Sequence, residues 1–164
     1  MFIEELLDHH MKGWKVLGGF VPPLEALAHL KRDFRAGGSF DPSRKMQDKE
    51  CFRNALCYAL SKGGLHYVEG LASRRDLPLL IHHAWCIDPA DPEGKVIDPT
   101  WSNPHEAEYA SIIQLPANAT MRRMNETGVY GLLDLGRGFD LSVIEEHDPE
   151  LWAAFDQQQK EAVA

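Results

Sequence analysis

The chain has 164 residues, 44% hydrophobic and 26% charged, with a formal net charge of −8. This fits one soluble globular domain over 1–164 with a core of its own, and the acidic balance excludes a nucleic-acid surface, which needs a basic excess. No apolar run approaches the roughly 18 residues of a membrane span, so no membrane partner is expected.

The opening MFIEELLDHHMKGW carries early acidic residues and no apolar region of a secretory signal. Phe2, Ile3, Leu6, Leu7 and His10 recur at helical spacing and predict a helix over 2–11. Gly13, Gly18 and Gly19 break that pattern, and Pro22-Pro23 opens a second helix over about 24–34, ended by Gly37-Gly38. A polar loop, 39–47, follows. In DKECFRNALCYALSKGG, Phe52, Ala55, Leu56, Ala59 and Leu60 form a helical stripe and Gly63-Gly64 a stop, with Asp48 as N-cap and Cys51 at the third helical position.

LHYVEGLASRR and LPLLIHHAWCID then read as strands, DPADPEG as a turn and KVIDPTW as a third, short strand. Residues 65–101 are thus expected to form an antiparallel meander. Period-two alternation sets Leu79, Ile81, His83, Trp85 and Ile87 on one face, and Leu80, His82, Ala84, Cys86 and Asp88 on the other. Beyond it, short helices are expected from Asn103 and over 118–125. Asp148-Pro149 opens a last helix to about Ala162, with Leu151, Trp152 and Phe155 inward.

Three cysteines, Cys51, Cys57 and Cys86, make an odd set without a tight framework, which points to free thiols in a reducing, cytoplasmic setting. Of these, Cys51 opens a helix, where the partial positive charge of free N–H groups favours an anionic nucleophile. Arg44, Lys45, Lys49 and Arg53 against Asp48 and Glu50 add a local +2. A thiol nucleophile needs a base, and the base an orienter on its second nitrogen. His83 supplies the first role, with His82 its competitor. Asp98, fifteen residues later across one turn and biased to extended backbone by Pro99, supplies the second.

Trp85 and Trp101 are placed to roof the pair. The Cys51 N–H and the Gln47 side chain are candidate oxyanion donors, and Asn54, one turn after Cys51, is a candidate for ordering a loop near the site. The competing readings are a buried structural thiol at Cys51, a packed core histidine at His83, and a turn-capping aspartate at Asp98. No CxxC or HExxH is present and Cys86 and His83 fall on opposite strand faces, so zinc is the minor alternative. No cofactor is implied.

A cysteine opening a helix, then YVEG, HAW and VIDPTW, resembles the core of transglutaminase-like domains, within the papain-like superfamily of cysteine hydrolases. A similar pattern occurs in small bacterial and phage proteins. The resemblance covers Cys51 to Trp101. It implies an α+β papain-like fold in which N-terminal helices and a nucleophile-bearing helix pack on a small antiparallel sheet. It also implies a Cys51–His83–Asp98 triad acting through an acyl-enzyme on an amide, isopeptide or thioester bond of a peptide, protein or small substrate. The tryptophan that precedes the cysteine helix in true transglutaminases has no equivalent here, so a peptidase, amidase or deamidase is implied before glutamine cross-linking. A non-catalytic binding protein on the same scaffold is the alternative from another functional class.

Overall fold

The computed structural model describes residues 1–16, 22–39, 46–133 and 141–163; the expected breakers Gly18 and Gly19 and the basic residues Arg44 and Lys45 lie outside them. Among the described residues the fold is α+β, with six α-helices and five strands.

The first helix, α1, continues past the expected stop, spanning Phe2–Val16 and burying Ile3, Leu7 and Met11 on its apolar stripe. A single glycine inside a helix costs only about 1 kcal/mol relative to alanine, which the buried stripe outweighs. α2, Pro23–Lys31, starts with proline at its first turn as expected, but ends earlier than predicted, at Arg32. There the backbone turns left-handed (φ 52°) and its N–H closes on Ala28 O. The next residues, Asp33–Ser39, form β1 rather than the end of a helix and a loop.

Gly37 and Gly38 are therefore strand residues, not helix stops, and their lack of a side chain has a packing reason. A Cβ at Gly37 would lie 1.5 Å from Pro104 O, and one at Gly38 2.4 Å from Val96 O. Only glycine permits that approach of backbone to backbone.

α3, Cys51–Lys62, leads into β2, His66–Arg74, and β3, Leu77–Ile87, which pair antiparallel through a tight turn. β4 is only Val96–Ile97 and pairs antiparallel with the end of β3. Together these make the expected meander, but it is only part of the sheet. After a 3-10 turn at Pro104–Glu106 comes β5, Ala107–Pro116, a strand not anticipated, which pairs antiparallel with β2 and β1. The order is β1-β4-β3-β2-β5, closed by the β1–β5 pairing; β1 and β4 run parallel. On the β3 side the closure is narrow, since β4 pairs only with Cys86 and Ile87 of β3.

Alternation divides the side chains between two clusters. Val68, Ala72, Trp85, Ile87, Val96, Ala107 and Tyr109 pack together inside the ring, with Trp101 against them. Tyr67, Leu71, Ala84, Cys86, Ala110 and Ile112 face outward into the larger core, where α1, α2 and α3 cover them. β5 changes face partway: Gly70 pairs with Ser111 while Glu69 pairs with Ile113, so one extra residue bulges. The remaining helices are α4, Ala117–Thr127, α5, Ser142–His147, and α6, Pro149–Val163. Asp148 caps α6 by accepting from Leu151 N–H at 3.1 Å, and Leu151 and Phe155 are buried, as expected.

Candidate active site

α3 begins one residue after Glu50, so Cys51 is the first helical residue rather than the third, and Asp48 is not its cap. The reason is Lys49, whose left-handed backbone (φ 67°) cannot belong to the helix and instead reverses the chain into it. The outcome favours Cys51 chemically, because the N–H groups of the first turn have no intrahelical acceptor and Asn54 N–H makes the first bond, to Glu50 O at 2.8 Å. Of the basic residues expected near the thiol, Arg44 and Lys45 lie outside the described residues, and Arg53 is engaged by Glu50, donating to Oε2 at 2.7 Å.

His83 stands on the inner face of β3, 2% exposed. Its Nε2 donates to Asp98 Oδ2 at 2.8 Å. With Nε2 so engaged, Nδ1 is the nitrogen left for a thiol, and Cys51 is near enough to influence the imidazole. Burial alone pulls the imidazole pKa down and is the largest influence on it. The charge and hydrogen bond of Asp98, with a smaller contribution from Cys51, outweigh it and raise His83 from 6.5 to about 9. His83 is a cation at neutral pH.

Asp98 follows β4 and is itself buried, which opposes ionisation more than any other single influence. The His83 cation and the donors around it nevertheless hold its carboxyl below the ordinary value. Oδ1 accepts from the N–H of Thr100 at 2.8 Å and of Trp101 at 3.1 Å; Oδ2 accepts from His83 and from the Tyr109 hydroxyl at 2.9 Å. The turn-capping and the histidine-orienting readings of Asp98 are therefore both physically realised, one by each oxygen.

Trp101 lies over the imidazole with ring centroids 4.3 Å apart and planes 21° from parallel, and is half-buried. It covers His83 in the expected way. Trp85 does not share that role: wholly buried, 6.4 Å from the His83 ring and 4.9 Å from Tyr109, it forms the floor beneath the pair.

Asn54 is buried, and both hydrogens of its amide are used. Nδ2 donates to Gln47 O at 2.6 Å and to Thr100 Oγ1 at 3.1 Å, tying the stretch before α3 to the one after Asp98. It orders the loop and has no hydrogen free for an oxyanion. Gln47 is exposed. His82 lies on the opposite face of β3, where Nε2 reaches Glu69 Oε1 at 2.8 Å and the ring sits 4.7 Å from Phe52. His82 is thus engaged by Glu69, and it is His83 that pairs with Asp98.

Two residues of the neighbourhood were not legible as such. Tyr109 comes from β5, whose existence the sequence pattern did not disclose. Glu69 is fully buried, accepting from Tyr67 hydroxyl, His82, and the N–H groups of Leu132 and Leu133 at 2.6 to 2.9 Å. A charged residue inside a strand was its only signal. Cys86 donates to Ala55 O at 3.2 Å in the core, and burial pushes its thiol well up.

Among the described residues no three His, Cys, Asp or Glu side chains are grouped to hold a metal ion, and no helix is long and apolar enough to cross a membrane. Compared with family models, curated protein sequences and solved structures, the chain matches none.

Proposed function

We propose that the protein is a cysteine hydrolase or acyltransferase of papain-like, transglutaminase-like type, with Cys51 as nucleophile, His83 as proton carrier and Asp98 as its orienter. One observation carries this reading: a buried His83 is gripped through Nε2 by Asp98 while Cys51, at the first position of a helix, sits beside the same ring.

With its proton held on Nδ1 of His83, Cys51 Sγ attacks the acyl carbon of an amide, isopeptide or thioester. The N–H groups of the first turn of α3 are aimed outward from the helix end and provide for the oxyanion, with the exposed Gln47 as side-chain candidate. The C–N or C–S bond then breaks, and the His83 proton passes to the leaving amine or thiol. Water, or an acceptor amine, gives its proton to His83 and attacks the thioester, releasing the acid or new amide and restoring the thiol. Trp101 covers the imidazole and limits exchange of its proton with solvent.

The test is labelling with acyl electrophiles that differ in leaving group, read by mass spectrometry at each cysteine. A covalent acyl adduct on Cys51, lost in His83→Ala, is the expected result. Equal adducts on all three cysteines, or none on Cys51, would remove the nucleophile and leave a binding protein.

A further inference from the structure

Asp98 Oδ2 accepts two hydrogen bonds at nearly the same distance, from His83 Nε2 at 2.8 Å and from the Tyr109 hydroxyl at 2.9 Å. The two donors compete for the electron density of one oxygen, and both are enclosed, so no solvent relieves the competition. We propose that Tyr109 is a positioning residue that sets how tightly the His83–Asp98 pair holds its proton. This deepens the reading of His83 as the proton carrier and rests on it.

The phenol is suited to the task because it remains a donor. Burial, then the charge and hydrogen bond of Asp98, push Tyr109 well above its ordinary pKa of 10, with Arg74 opposing weakly. Tyr109 is also fixed in place, its backbone paired with Ala72 of β2 and Arg35 of β1 and its ring against Trp85. The titratable groups that bear on the pair come from four elements: Cys51 from α3, Cys86 from β3, Arg74 from β2 and Tyr109 from β5. Of these, Tyr109 alone among the described residues donates a side-chain hydrogen bond to the carboxylate that His83 uses.

The sign follows from the two protonation states. Removing the phenol leaves Asp98 one donor short, and this costs the bare carboxylate beside neutral imidazole more than it costs the ion pair. The proton is then held more tightly.

The experiment is an NMR titration of the His83 ring in the full chain, with His82 followed as an internal reference. In Tyr109→Phe the His83 midpoint is expected to rise by about one pH unit, a tenfold tighter proton, while His82 is unmoved. 3-Fluorotyrosine placed at position 109 keeps the fold and strengthens the donor, and is expected to lower the His83 midpoint. A merely structural Tyr109 would reduce thermal stability and leave the titration where it was. An unchanged His83 midpoint in the fluorotyrosine protein overturns the proposal even where Tyr109→Phe does not fold. If His83 shifts as stated but no acyl probe labels Cys51, the hydrolase reading falls and the role of Tyr109 in proton affinity stands.

Discussion

Asn54 Nδ2 donates to Thr100 Oγ1 at 3.1 Å, so the helix that begins with Cys51 is bonded directly to the segment that carries Asp98. The same amide holds Gln47 O, and Met46 N–H reaches Pro99 O at 2.9 Å. The start of α3 and the stretch around Asp98, far apart in sequence, share one small clamp.

Removing that clamp has a calculable cost. Asn54→Ala strips partners from Gln47 O and Thr100 Oγ1 and is expected to destabilise the protein by about 1–3 kcal/mol, the usual penalty for leaving buried polar groups unpaired. Denaturant midpoints measure this. Alkylation of Cys51 in the same variant should slow at conditions where the protein is still folded, because the helix start is no longer held against Asp98. A stable variant with normal alkylation would dissociate Asn54 from the site.

Asp98→Asn separates the two roles of that residue. The amide oxygen can still accept from Thr100 and Trp101 N–H, so the turn before Pro99 should survive. What it cannot do is stabilise the His83 cation. Acyl transfer should then fall by orders of magnitude, up to about 10⁴ if the loss matches that of the serine triad. Unchanged transfer in a normally stable variant would reduce the site to a Cys51–His83 dyad.

The same pair predicts how stability varies with pH. The folded-state pKa of His83 is raised to about 9 from an ordinary 6.5. Its contribution is therefore fully present below about 6.5 and is lost as pH rises through about 9. Asp98 behaves oppositely: its depressed pKa gives stability that is present above its ordinary value and lost as pH falls through the folded one. Urea midpoints taken from pH 6 to 10 should decline in the native sequence, and the decline should flatten in Asp98→Asn. A profile that is level across that range in the native sequence contradicts a His83 cation held by Asp98.

Thiol reactivity should be sorted by site rather than by exposure. Cys86 is wholly buried, bonded to Ala55 O and kept protonated, so iodoacetamide should not touch it in the folded protein. Cys51 is only 9% exposed, yet alkylation there is expected to exceed that at the more accessible Cys57 and to depend on His83. His83→Ala should slow Cys51 and leave Cys57 alone. If Cys57 is the faster thiol in the native protein, position at the helix start confers nothing.

Glu69 offers a stability test that is independent of catalysis. Its carboxylate accepts four hydrogen bonds and holds Leu132 and Leu133 by their N–H groups. Glu69→Gln turns one acceptor into a donor facing other donors, and should cost about 3 kcal/mol or more. Thermal unfolding reads this, and a loss below about 1 kcal/mol would show that the buried carboxylate is not what anchors that segment.

Local pattern by itself determined much of the site's vocabulary. The apolar stripe from Phe52 to Leu60 placed Cys51 at a helix start, and period-two alternation put His83 on the face of Trp85 and away from Cys86, because both depend only on backbone repeat. Spacing across a Pro- and Gly-rich turn brought Asp98 near His83 for the same reason. Tertiary structure decided the rest. Whether Gly37 and Gly38 end a helix or let β1 close the ring depends on Pro104 O and Val96 O, which lie far along the chain. The start of α3 was set by the left-handed Lys49 rather than by a capping aspartate. Tyr109, Asn54 and Glu69 acquired their partners only when β5, the stretch after Asp98 and residues 132–133 came together. Contacts of that kind join residues far apart along the chain, and no short-range period in the sequence encodes them.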